Sequence, residues 1–115
     1  MPLRWLDEPE HHDYAAALDY LSLVLEPEEA DRFVDRLRSA KTVQRKAKDI
    51  LRASGLELLP ETNPHVARDL AKDRLSPILL VRDTKSRTLI IADGYHRACA
   101  SYWVDEDTEI PCRLV

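Results

Sequence analysis

Long apolar runs are missing from this chain. Nothing approaches the roughly 18 apolar residues of a membrane helix, and no basic-then-apolar leader opens the sequence. Neither a membrane span nor secretion is expected, and a cytoplasmic location is. Cysteine is scarce: Cys99 and Cys112 form no CxxC pair and have no histidines at zinc-ligand spacing. Reduced thiols are therefore expected. Internal repeats and low-complexity stretches are absent. An excess of positive charge is lacking too, with a net charge of −4, which argues against tight non-specific binding of DNA. Glycine occurs only at Gly55 and Gly94.

What is present is an ordinary composition, 44% hydrophobic and 33% charged over 115 residues. That is enough for a single domain, residues 1–115, with a modest core. The charge is segregated. Residues 1–35 carry ten acids, Asp7 through Asp35, against Arg4 and Arg32. Residues 36–52 reverse the sign, with Arg36, Arg38, Lys41, Arg45, Lys46, Lys48 and Arg52 against Asp49. Two readings follow: a phosphate-facing surface, or an acidic face docking on a basic one.

The first half, residues 1–55, reads helical. Residues 14–25 place Leu18, Leu21 and Leu25 at helical spacing with Asp13 as N-cap. Pro27 suits the first position of a second helix, with Glu28 and Glu29 where the helix dipole favours acids. Ala30, Phe33, Val34 and Leu37 then share one face. A third helix is expected after Thr42, burying Val43, Ala47, Ile50 and Leu51 and stopping at Gly55.

The second half, residues 56–115, alternates. Residues 56–59 suggest a short strand, and Asn63-Pro64 an N-cap and first turn of a helix running to about residue 72. Residues 78–81 and 88–92 read as strands of a hairpin, 94–103 as a helix and 110–115 as a last strand. The expected class is a small α/β or α+β domain: N-terminal helices packed on a mixed sheet.

The richest stretch is residues 88–103, TLIIADGYHRACASYW. A β-branched run ends in Asp93-Gly94 and passes into a helix with His96 and Arg97 in its first turn. Cations oppose the partial positive charge of that end, unless an anion lies between them and the free amides. A phosphate site is the functional reading. The plain one makes Asp93-Gly94 a turn pair, with Arg97 bridging to Asp93 and His96 structural.

Residues 58–115 resemble the nucleotide-binding fold shared by ParB partition proteins and sulfiredoxins. Against the ParB motif GxRRxxA stand Gly94, His96, Arg97 and Ala100, with His96 replacing the first arginine. Against the sulfiredoxin GCHR stand Gly94, Tyr95, His96 and Arg97. Ile110, Pro111, Leu114 and Val115 match its IPxxLV ending, and Pro77-Ile78 its Pro-Ile pair leading a strand. Free-serine kinases of similar look carry an Asp-Gly-His-x-Arg type of motif, which Asp93 and Gly94 resemble in its leading acid.

The resemblance implies a phosphate cradle for a nucleotide such as ATP, ADP or CTP with Mg²⁺. Gly94 and Tyr95 would supply close backbone approach, while His96 and Arg97 contact phosphate oxygens. His65 and Arg68 would reach the nucleotide from the preceding helix. Asp93 becomes a candidate Mg²⁺ ligand or base, and His96 a second catalytic candidate. Sulfiredoxin chemistry is not expected, because Tyr95 stands at the position of its cysteine and Cys99 lies about one helical turn on. Partition function is not expected either, since the sequence closes at Val115 without a helix-turn-helix module.

The functional expectation is nucleotide-dependent phosphoryl transfer to a small acceptor, or nucleotide hydrolysis. Arg97→Ala should then abolish binding and leave the fold intact. One alternative is a non-catalytic nucleotide sensor or interaction module, its N-terminal helices meeting a protein partner or a second copy. Another is a ParB-like nuclease or DNA-associated protein, which the acidic balance disfavours. Tyr102 and Trp103 read as core or edge aromatics, Cys99 as a small core residue and residues 46–49 as a solvated face. Residues 10–13, Glu-His-His-Asp, resemble a metal cluster by composition only, because adjacent histidines point apart.

Overall fold

The computed structural model describes residues 3–115. In chain order it contains α1 (His11–Val24), α2 (Pro27–Ser39), β1 (Thr42–Lys46), α3 (Ala47–Ser54), α4 (Pro64–Ala71), β2 (Ile78–Asp83), β3 (Thr88–Asp93), α5 (Tyr95–Val104) and β4 (Glu109–Leu114). The strands form one mixed sheet in the order β1-β4-β2-β3, with β2 and β4 parallel and the other two pairs antiparallel. The α+β class read from the sequence is the class that forms. No helix among the described residues is long and apolar enough to cross a membrane.

Side chains alternate across the sheet and build a core on each face. Leu79, Val81 and Ala92 pack with Tyr14, Ala17 and Leu21 of α1 and Ala30, Val34 and Leu37 of α2. Ile78, Leu80, Ile91, Ile110 and Cys112 pack on the other side with α3, Val66 of α4, and Ala98 and Cys99 of α5. The helices are thus amphipathic partners of a sheet buried on both faces.

Several local expectations are corrected. Thr42 and Val43 do not lead into a helix: residues 42–46 form the edge strand β1, paired with β4 from Thr42↔Arg113 to Lys46↔Glu109. The β-branched pair is better satisfied on a strand, and helix α3 begins only at Ala47. Val43 is accordingly 36% exposed. The first half therefore contributes a strand to the sheet as well as helices. Residues 56–59 form no strand; they run as an irregular strap. The Tyr95 hydroxyl donates to the Glu57 carbonyl, and Trp103 Nε1 donates to the Leu59 carbonyl at 2.7 Å. Asp13 is not the N-cap of α1. Glu10 holds that position, and Asp13 closes a reciprocal capping box by accepting from the Glu10 amide at 2.7 Å.

Other signals translated directly. Asn63 Oδ1 accepts from the amides of His65 and Val66, with Pro64 opening α4. Gly55 ends α3 at φ +69°. The hairpin of β2 and β3 carries one irregularity: Leu79 faces Asp93 while Leu80 faces Ile91, so Ala92 is an extra residue in β3. This bulge re-aims the strand end, turning Asp93 onto the α1 side with its partner Leu79.

Candidate functional site

A cleft of about 670 Å³ opens where three helix ends meet. His12, Asp13 and Ala16 of α1 form one wall, and Arg68, Asp69, Ala71 and Lys72 from α4 and its end form another. The Asp93–Arg97 segment forms the third. The β3 bulge and the strand-to-helix turn at Gly94 set this third wall. Gly94 sits at φ +110°, and a Cβ there would lie 2.4 Å from Ile78 Cγ2 and 2.9 Å from Arg97 Nη2. Glycine is required on both counts, since the backbone is left-handed and the approach leaves no space.

No side chain caps the N-terminus of α5. Its first helical hydrogen bond runs from the Ala98 amide to the Gly94 carbonyl at 2.9 Å. The amides of Tyr95, His96 and Arg97 therefore lie ahead of the helical ladder, at the positive end of the helix dipole.

Charge is layered around them. On the floor, Arg97 Nη2 donates to Asp93 Oδ2 at 2.9 Å. Nη1 donates to Ser76 Oγ at 3.1 Å and lies 3.5 Å from Asp13 Oδ1. These three charged side chains are nearly withdrawn from solvent, at 15%, 19% and 3% exposure for Arg97, Asp93 and Asp13. Arg97 Nε is buried and has no hydrogen-bond partner. Burial raises Asp93 to about 6, an effect that Arg97 opposes and Asp13 reinforces. Burial also presses Asp13 upward, but bonds from Ser76 and the Glu10 amide and the charge of Arg97 outweigh it and lower that carboxyl. Two carboxylates thus share one guanidinium, with the proton favoured on Asp93.

The outer layer is basic. Arg68 Nη2 lies 3.2 Å from His65 Nδ1, and the His65 and His96 rings are 4.6 Å apart. Burial, then the neighbouring His65, lowers His96, which favours its neutral ring. Arg68 and Lys72 form no ion pair among the described residues.

The sequence-derived residues are thus gathered: Asp93, Gly94, Tyr95, His96, Arg97 and Arg68 border one cleft, with His65 stacked at its margin. Their roles differ from a simple reading. Arg97 lies beneath the turn and carries the Asp93 bridge that the plain reading anticipated. Tyr95 turns its hydroxyl to the strap at Glu57. Asp13, Ser76 and Lys72 were not singled out for the site. Asp13 was legible as a helix-end residue and as part of the residue 10–13 group, but its partner lies on another element, so no local spacing signals the contact.

Arg97 engages one oxygen of Asp93, Oδ2, at 2.9 Å, so a metal at Asp93 would share that carboxylate with a guanidinium. Among the described residues no three His, Cys, Asp or Glu side chains gather to hold an ion. Glu10 and Asp13 serve the α1 cap, with His12 at 3.3 Å and 3.6 Å from them. Lys46 and Lys48 both turn to Asp107. Comparison with protein-family models, with curated proteins and with solved structures finds no match to this chain.

Proposed function

We propose that the cleft at the start of α5 binds a nucleotide through its phosphates, with phosphoryl transfer or hydrolysis as the chemistry. The observation that carries this reading is the start of α5, where no side chain caps the three leading amides, facing Arg68 and Lys72 across one cleft. Helix-start amides without partners call for an acceptor. A phosphate, with several acceptor oxygens, suits that turn, and Arg68 and Lys72 add donors from the opposite wall, with His65 at its margin. The resemblance to the ParB and sulfiredoxin fold supports the same ligand class.

Asp93 is the group suited to take a proton from an acceptor hydroxyl or water, being buried and raised to about 6. Because Arg97 holds it, Mg²⁺ in this reading arrives on the ligand's phosphates and finds no dedicated protein cage. The same ion pair favours a second reading, a nucleotide sensor without chemistry, in which Asp93 only positions Arg97.

Thermal shift against ATP, ADP, CTP and GTP, with and without Mg²⁺, tests binding. A ligand at a hundred times its Kd adds roughly 2.7 kcal/mol, a readily visible shift. Arg68→Ala is the informative control, because Arg68 is exposed and bonds only His65 among the described residues. It should leave the unliganded melting temperature unchanged and remove most of the shift. Absence of a shift with every nucleotide overturns the proposal. Binding without turnover selects the sensor.

A further inference from the structure

Two surface patches lie on opposite faces of the sheet at the end that carries the β2–β3 turn. On the α1–α2 face Leu23 is 84% exposed and Val24 49%. With Glu26 and Glu29 they border a cleft of about 640 Å³ that Val81 and Ile90 also line. On the α3 face two adjoining clefts share Ala53, Arg82 and Leu89 and together form a groove, one reaching Arg87 and the other Arg45 and Leu114. Among the described residues neither those three arginines nor the two glutamates form an ion pair. Arg82, Asp83 and Lys85 also border the acidic side, and Asp49 and Asp83 the basic one. Asp83 is engaged by the turn, accepting from the amides of Lys85 and Ser86 and from the Ser86 hydroxyl.

The segregated charges of the sequence are not matched to one another inside the molecule, although Asp13 pairs with Arg97 and Lys46 and Lys48 with Asp107. No recorded ion pair joins the acids of residues 3–35 to the bases of residues 36–52. An acidic apolar corner and a basic apolar groove remain, each suited to the other.

We propose that this end of the sheet is a homodimer interface, in which the acidic corner of each copy seats in the arginine-bordered groove of the other. Arg82, Asp83 and Thr84 border clefts on both faces, so the two patches flank one edge. A two-fold axis in the plane of the sheet exchanges its faces. One rotation then makes both contacts at once, and the assembly closes as an isologous pair. Each contact buries Leu23 and Val24 against Leu89 and Leu114, with Glu26 and Glu29 facing Arg45 and Arg87. An axis that kept the faces in register would set acid against acid, which disfavours that arrangement.

Sedimentation equilibrium of the full chain, from micromolar to near-millimolar concentration, tests this directly. The wild type should dimerise reversibly and weaken as salt rises. Glu26→Lys with Glu29→Lys, and separately Arg45→Glu with Arg87→Glu, should each raise the dimer Kd at least about tenfold. Mixing the two variants should restore a heterodimer, because each supplies the sign the other has lost. Leu23→Ser, which alters no charge, should also weaken the dimer, and thermal unfolding of each variant checks that the fold survives. A monomeric wild type throughout overturns the proposal. So does a dimer whose Kd neither the reversals nor Leu23→Ser displaces, or reversed variants that fail to pair.

Discussion

Arg97 and Asp13 meet across the molecule, Nη1 to Oδ1 at 3.5 Å, tying the N-terminal helix to the turn that opens α5. With Asp93 at 2.9 Å on its other side, Arg97 compensates two carboxylates that are nearly withdrawn from water. The expectation that Arg97→Ala leaves the fold intact therefore gives way. Removing one partner of a buried pair strands the other charge, and the loss is expected to be about 3 kcal/mol even with Asp93 taking up a proton. The melting temperature should fall by roughly 10 °C or more. A variant that melts with the wild type would show that the floor of the cleft is not held this way.

Gly94 makes an independent prediction. An alanine here would need φ +110° and a methyl group 2.4 Å from Ile78 Cγ2 and 2.7 Å from Ile78 Cβ. Backbone strain and overpacking each cost of order 1–3 kcal/mol, so Gly94→Ala should destabilise the domain by at least about 2 kcal/mol in urea unfolding. Gly55→Ala is the contrast. It meets nothing within 4 Å, so only its φ of +69° is penalised and the loss should be the smaller of the two. Equal losses would mean that close approach to Ile78 does not explain Gly94.

Legibility in the sequence followed locality. Asn63-Pro64, Gly55 and Asp93-Gly94 each act within a turn, and each did what its side chain dictates. The strand at residues 42–46 was hidden because its five residues are all exposed and carry no alternation of apolar and polar residues. Its pairing with β4 is long-range. The strap at residues 56–59 failed as a strand because its bonds go to side chains of α5. The cleft wall at Asp93–Arg97 was legible for the same local reason. The Asp13–Arg97 contact was not, since only the packing of α1 on β3 brings those residues together.

The cysteines should be inert in the folded state. Cys99 and Cys112 are both fully buried, and burial raises both thiols, Cys112 to about 11. Thiolate is the reactive form, so a chromogenic disulfide reagent at neutral pH should report no fast thiol until denaturant is added. One rapidly reacting equivalent under native conditions would reopen the case for thiol chemistry at α5.

Stability should also record the shared proton on the floor of the cleft. Burial, opposed by Arg97 and reinforced by Asp13, raises Asp93 from 3.8 to about 6 in the fold. Between those values the unfolded chain has released the proton while the folded chain keeps it. Asp93 thus contributes stability below about pH 4 that is lost as pH rises through about 6. The displacement corresponds to at most about 3 kcal/mol. Asp13 is lowered and works in the opposite sense, its contribution being present above 3.8 and lost in acid. Asp93→Asn keeps an oxygen acceptor for Arg97 and removes only the first effect. Unfolding free energies of the two proteins should therefore diverge from about pH 4 to about pH 7, the variant gaining relative to the wild type as the wild-type Asp93 ionises. Parallel profiles would mean that the two carboxylates do not share Arg97 as the geometry has it.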